Sequence, residues 1–173
     1  MLIVESPVSA ARRGRPGYAT IAGYAAGFDP PPGSGRPPAL RATIERALAD
    51  AGLRASDVDV VFADAAGVPE DDDAEARALR SVFGARAVPV TAPKTLTGRL
   101  YGGGAALDVA TAALALHYGV VPPMTGTTKP APEYGLDLVL RRPRETRPRT
   151  ALVLARGYGG FTAALVLRRP REE

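Results

Sequence analysis

The stretch from Gly98 to Tyr118 constrains this chain more than any other. It holds Gly102, Gly103, Gly104, Ala105 and Ala106, followed by Val109, Ala110, Ala112, Ala113, Leu114, Ala115 and Leu116. A helix that is apolar nearly all round is a buried helix. Each interior glycine costs up to about 1 kcal/mol relative to alanine, so the run predicts a backbone that passes close to another element. Gly119 ends the helix, and Pro122-Pro123 open a loop.

The rest of the chain alternates between the two regular structures. Residues 1–5 read as a short strand, 10–16 as a basic connection, and 18–28 as a second strand or extended ribbon. Asp29 to Pro38 holds five prolines and two glycines and reads as a loop. Leu40, Ile44 and Leu48 recur at four-residue spacing, which predicts a helix over 38–51 stopped by Gly52. A β-branched run over 58–63 predicts a strand. An acidic turn-rich loop over 64–73 follows, with Asp72 or Asp73 as cap of a helix over 74–83. A short strand is expected over 87–90, and mostly loop over 125–148 with an extended piece near Leu138. Two closing strands, 150–155 and 161–168, flank the turn Gly157-Tyr158-Gly159-Gly160. This order implies an α/β fold with a layered mixed sheet.

At 173 residues and 46% apolar composition, the chain is long enough for one domain with a real core. It has no cysteine, which removes disulfides, zinc thiolate sites and a cysteine nucleophile, and leaves the redox compartment open. The N-terminus is too short for a secretory core and no apolar run reaches membrane length, so a cytoplasmic protein without membrane contact is expected. Net charge is +4, much of it in 141–149 and 168–171. Those runs read either as a patch for an acidic partner or as a solvated loop and a frayed end; prolines interrupt both and no aromatics interleave, which favours the second.

Three segments carry a resemblance to β-ketoacyl synthases. Val60 to Leu79 resembles a strand ending in a His-Gly-Thr-Gly-Thr-Pro loop and an acidic helix start. Here the loop is Asp64-Ala65-Ala66-Gly67-Val68-Pro69, followed by Asp72 and Glu75. Val88 to Pro123 resembles Lys-Thr/Ser-x-x-Gly-His, a small-residue helix and a Pro-Pro loop. Here it reads Lys94-Thr95-Leu96-Thr97-Gly98-Arg99. Arg156 to Phe161 resembles a Gly-Phe-Gly-Gly turn, with Tyr158 in place of phenylalanine. The substitutions are similar to those of chain-length factors, the ketosynthase β subunits of bacterial type II polyketide systems.

The resemblance implies half of a thiolase-like body. Residues 1–23 correspond to the closing strand of an N-terminal half and its connection, and 24–173 to the C-terminal domain. The implied partners are a catalytic ketosynthase, an acyl carrier protein reached through that complex, and the N-terminal half or an equivalent chain. Without that half, the small-residue helix is expected to expose an apolar patch and to make an isolated monomer behave poorly. The nucleophile of catalytic members lies in the other half, so no catalytic residue is assigned here.

Asp64 and Arg99 stand at the positions of two imidazoles that donate hydrogen bonds to a developing enolate. An ionised aspartate only accepts, and Arg99 is longer with a fixed charge. The two are expected either to pair across a vestigial pocket or to meet water as separate loop charges. Lys94 is expected to hold loop geometry or to pair with Asp72 or Glu75. Gly98, Gly159 and Gly160 shape the loops. Tyr158 lines an acyl pocket or packs as a turn aromatic. His117, the sole histidine, reads as a helix C-terminal residue. No metal or cofactor is expected. The alternatives are an active condensing enzyme using other residues, which lacks a visible nucleophile–base pair, and a basic nucleic-acid module.

Overall fold

The computed structural model describes residues 2–15, 17–31 and 33–170. Met1, Pro16, Pro32 and the tail from Arg171, each part of a segment read above, lie outside the described residues. The first departure from expectation comes at once. Leu2 to Glu5 form no strand, and Pro7–Arg12 is a helix (α1). Ser6 caps it by accepting from the Ser9 amide at 3.2 Å, and Pro7 sits at its first position, where a missing N–H costs nothing.

Thr20–Phe28 forms the long strand β1. Helix α2, Leu40–Asp50, buries Leu40, Ile44, Ala47 and Leu48, the stripe its spacing predicts. Val60–Phe62 is β2, shorter than the run expected. Helix α3 spans Pro69–Phe83 and begins five residues earlier than predicted. Pro69 takes the first position and the acids Glu70, Asp71 and Asp72 fill the first turn, where the helix dipole favours them. Neither Asp72 nor Asp73 is the cap; Asp72 instead accepts from the Gly67 amide at 3.1 Å. Pro89–Thr91 is β3, and Gly104–Tyr118 is α4, preceded by a single 3₁₀ turn at Tyr101–Gly103. Val120–Val121 (β4), Asp137–Leu138 (β5) and Arg144–Glu145 (β6) are two-residue strands. Thr150–Arg156 (β7) and Phe161–Arg168 (β8) form the closing hairpin, as read.

The main sheet runs β1-β8-β7-β2-β3-β5, with β4 and β6 paired separately. Strands β2, β3 and β7 are mutually parallel, and β8 is antiparallel to both β7 and β1. Alternation along the central strands splits the core in two. Val61, Leu152, Leu154, Ala164 and Val166 face α2 and α3 on one side; Val60, Phe62, Ala151, Val153 and Leu167 face α4 on the other. The result is a layered α/β body, as expected.

Two expectations about the small-residue helix need correction. Only one face of α4 is buried, through Asp108, Ala112, Ala115 and Leu116, while Leu114 is 43% exposed and Tyr118 is 68% exposed. The glycines do not bring backbone close to another element either. A Cβ on Gly102 or Gly104 would meet nothing within 4 Å. The close approach is at Gly23 in β1, where a Cβ would fall 2.5 Å from the Ala47 carbonyl oxygen of α2. Tyr24, Phe28 and Phe161 extend the uncovered apolar surface along β1 and β8, with the two phenylalanine rings 5.3 Å apart, edge to face.

Candidate functional site

Parallel strands β2, β3 and β7 end at the same edge of the sheet, the edge where α/β folds build their sites. Each delivers a charged side chain or its neighbour. Asp64 follows β2, Lys94 lies in the 3₁₀ turn Pro93–Leu96 after β3, and Arg156 is the last residue of β7.

The loop after β2 is anchored from below by α3. Glu75, buried in that helix, accepts from the Asp64 amide at 2.8 Å and from the Ala65 amide at 2.9 Å. Ala65 has φ of +46°, a left-handed conformation that a residue with a Cβ rarely adopts. The two bonds to one carboxylate hold it there. Burial pushes the Glu75 carboxyl up to about 7, against the pull of those two amides.

Asp64 is buried and meets two cations. Arg99 Nη2 lies 3.3 Å from its Oδ2, and Lys94 Nζ lies 3.8 Å from its Oδ1. The same Lys94 nitrogen is 2.6 Å from Asp108 Oδ2, the tighter of its two pairs. Asp108 is 2% exposed, on the inner face of α4. Burial pushes its carboxyl above the ordinary range, and Lys94 pulls it back. Arg99 Nη2 also donates to the Arg156 carbonyl at 2.7 Å. The cluster is thus three carboxylates, Asp64, Glu75 and Asp108, and two cations, Lys94 and Arg99.

Of the two readings of Asp64 and Arg99, the geometry is that of a pair rather than of separate charges in water. Lys94 does not pair with Asp72 or Glu75; it turns to Asp108 and Asp64. Gly98, with φ of +75°, makes the turn that aims Arg99 inward. Gly159 and Gly160 have φ of +83° and +88° in the hairpin turn. Tyr158 is fully exposed in this structure. His117 sits in the last turn of α4, edge to face with Tyr18 at 4.9 Å and Tyr118 at 4.8 Å. It takes no part in the cluster.

Asp108 is the member that sequence reasoning overlooked. A single acid inside a run of Ala, Val and Leu was the available signal, because a buried carboxylate needs a partner. Chemically, the arrangement presents acceptors already engaged by cations or backbone amides, and cations already engaged by acceptors. No imidazole is among them. Among the described residues, no group of three or more His, Cys, Asp or Glu is placed to hold a metal, and no helix is long and apolar enough to cross a membrane.

Residues 18–128 match the family model described as "Beta-ketoacyl synthase, C-terminal domain". The chain belongs to the β-ketoacyl synthase family. The matched span takes in Asp64, Glu75, Lys94, Arg99 and Asp108. Over 98% of its length the chain is 59% identical to the actinorhodin polyketide putative beta-ketoacyl synthase 2 of Streptomyces coelicolor. It is 59% identical over 98% of its length to the tetracenomycin polyketide synthase ketoacyl synthase beta subunit of Streptomyces glaucescens. Among solved structures, the ishigamide ketosynthase/chain length factor superposes on 96% of the chain with a TM-score of 0.86 and 29% identity. The chain spans 42% of the length of each of these three proteins.

Proposed function

We propose that this chain is the C-terminal domain, residues 24–173, of a chain-length-factor subunit that pairs with a catalytic ketosynthase in bacterial aromatic polyketide synthesis. The observation that carries the reading is the pairing of Asp64 with Arg99 at 3.3 Å. By resemblance these positions are the seats of two imidazoles that stabilise enolate charge. A carboxylate there accepts hydrogen bonds and repels the developing anion, and the guanidinium is consumed by Asp64 and the Arg156 carbonyl. A pair of this kind fills the site and cannot perform decarboxylation. The high identity to proteins named as second or beta synthase subunits supports the same reading.

Its partners on this reading are the catalytic ketosynthase, an acyl carrier protein reached through that complex, and the N-terminal half of the family body. The uncovered apolar surface of α4, β1 and β8 supports the last of these. We place the complex in the cytoplasm, with no cofactor held by this chain. The test is thioester consumption with malonyl-loaded carrier protein. The expected result is no turnover by the chain alone, and stable association with a ketosynthase whose nucleophile is intact. Turnover by the chain alone would refute the reading.

A further inference from the structure

Beyond the paired charges lies a second layer of contacts. The Arg156 side chain is only 14% exposed, at the point where three segments meet. Its Nη2 is 3.4 Å from Asp71 Oδ1 and 3.7 Å from Asp29 Oδ2, and its Nη1 donates to the Asp71 carbonyl at 3.0 Å. Asp71 belongs to the first turn of α3, which carries Glu75 and so the Asp64 loop. Asp29 begins the proline-rich loop after β1.

Asp29 is itself fully used. Its amide donates to the Gly160 carbonyl at 2.8 Å, and its Oδ1 accepts from the Ala39 amide at 2.7 Å. A Cβ on Gly160 would sit 3.0 Å from the Asp29 Cβ, so the hairpin turn lies directly against this residue. The turn is closed at its base by the Gly157 amide donating to the Phe161 carbonyl at 2.8 Å. Finally, the carbonyl of Arg156 receives Arg99. An arginine fork can hold two acceptors in fixed directions, which a lysine cannot.

We propose that Arg156 is a positioning residue that latches the 157–160 turn and the proline-rich loop to α3, and through its carbonyl fixes Arg99 over Asp64. This rests on the reading of Asp64 and Arg99 as a closed pair. The latch joins the closing hairpin, the proline-rich loop and the Asp64–Arg99 pair into one unit, so the pair stays closed.

Amide hydrogen exchange followed by mass spectrometry tests it, on the parent chain and on Arg99→Ala, Arg156→Ala, Arg156→Lys and Asp71→Asn. Segments 62–68 and 156–162 report the site and the turn, and 150–155 in β7 serves as the core reference. The expected result for Arg156→Ala is at least tenfold faster exchange in both segments with the core unchanged. Arg99→Ala should speed 62–68 alone. Arg156→Lys should recover part of the protection, since it keeps the charge but not the fork. Should Arg156→Ala speed exchange everywhere, Asp71→Asn decides, because Asp71 is half exposed and the amide is nearly isosteric; at least threefold faster exchange in both segments with the core unchanged is expected. If Arg156→Ala or Asp71→Asn speeds 156–162 and leaves 62–68 at the parent rate, the latch is refuted and the Asp64–Arg99 pair stands. If Arg99→Ala leaves 62–68 unchanged, the closed pair itself is refuted.

Discussion

Glu75→Gln offers a quantitative test of the anchoring carboxylate. In the folded chain burial holds the Glu75 carboxyl up at about 7, against an ordinary value of 4.5. The folded state therefore binds this proton more tightly than the unfolded state. Its contribution to stability is complete below pH 4.5, falls as pH rises from there to about 7, and is constant above that. Each unit of difference is worth about 1.36 kcal/mol, which gives roughly 2–3 kcal/mol lost between pH 5 and pH 8. Glutamine has nearly the same shape and no proton to lose. It offers one oxygen to two amides, so an acceptor is forfeited for the Asp64 or Ala65 N–H, at about 1–3 kcal/mol and without pH dependence. The two effects separate by slope. Urea unfolding followed by circular dichroism, at pH 5, 6, 7 and 8, should show the variant gaining about 2–3 kcal/mol relative to the parent across that range. Parallel pH profiles for the two proteins would refute the assignment of Glu75 as a carboxylate raised by burial.

Three further outcomes follow from the packing. Lys94→Met leaves Asp108 buried beside no cation and should cost about 3–5 kcal/mol in urea unfolding, while Lys94→Met with Asp108→Leu should recover most of that loss. Gly23→Ala drives a methyl group onto the Ala47 carbonyl and the Ala51 amide of α2, and should cost about 1–3 kcal/mol or more by the same measurement. Tyr158→Ala removes a fully exposed ring and should change the unfolding free energy by no more than about 0.5 kcal/mol.

Where a single local pattern decided an element, the sequence was legible. The Leu40-Ile44-Leu48 stripe gave α2, and the glycine turn between two apolar runs gave the β7–β8 hairpin. Elements opened by proline were not. From sequence, Pro7 falls outside any element and Pro69 in the loop over 64–73, although each stands at a first helical position where proline is tolerated. The glycines before α4 were misjudged because a flexible residue has two uses. Here they lead through a 3₁₀ turn into the helix, and the tight contact belongs to Gly23, whose neighbour in α2 is distant in sequence. At the site, Asp64 and Arg99 were found because the family frame marks their positions. Asp108 and Arg156 were not, since their partners come from separate loops and helices and only tertiary structure brings these together.

The order of strands has a consequence for how the chain acquires its shape. Among the described residues β1 has a single sheet neighbour, β8, with Thr20 opposite Arg168. β8 in turn lies between β1 and β7 rather than at an edge. As the polypeptide is synthesised, β1 is made well before β8 and waits without that partner until β8 slides in beside it. Pairing across so much intervening chain is slow, and the waiting strand is open to wrong partners. Its glycines and the register shift near Ile21 and Gly23 weaken it as a template in that interval.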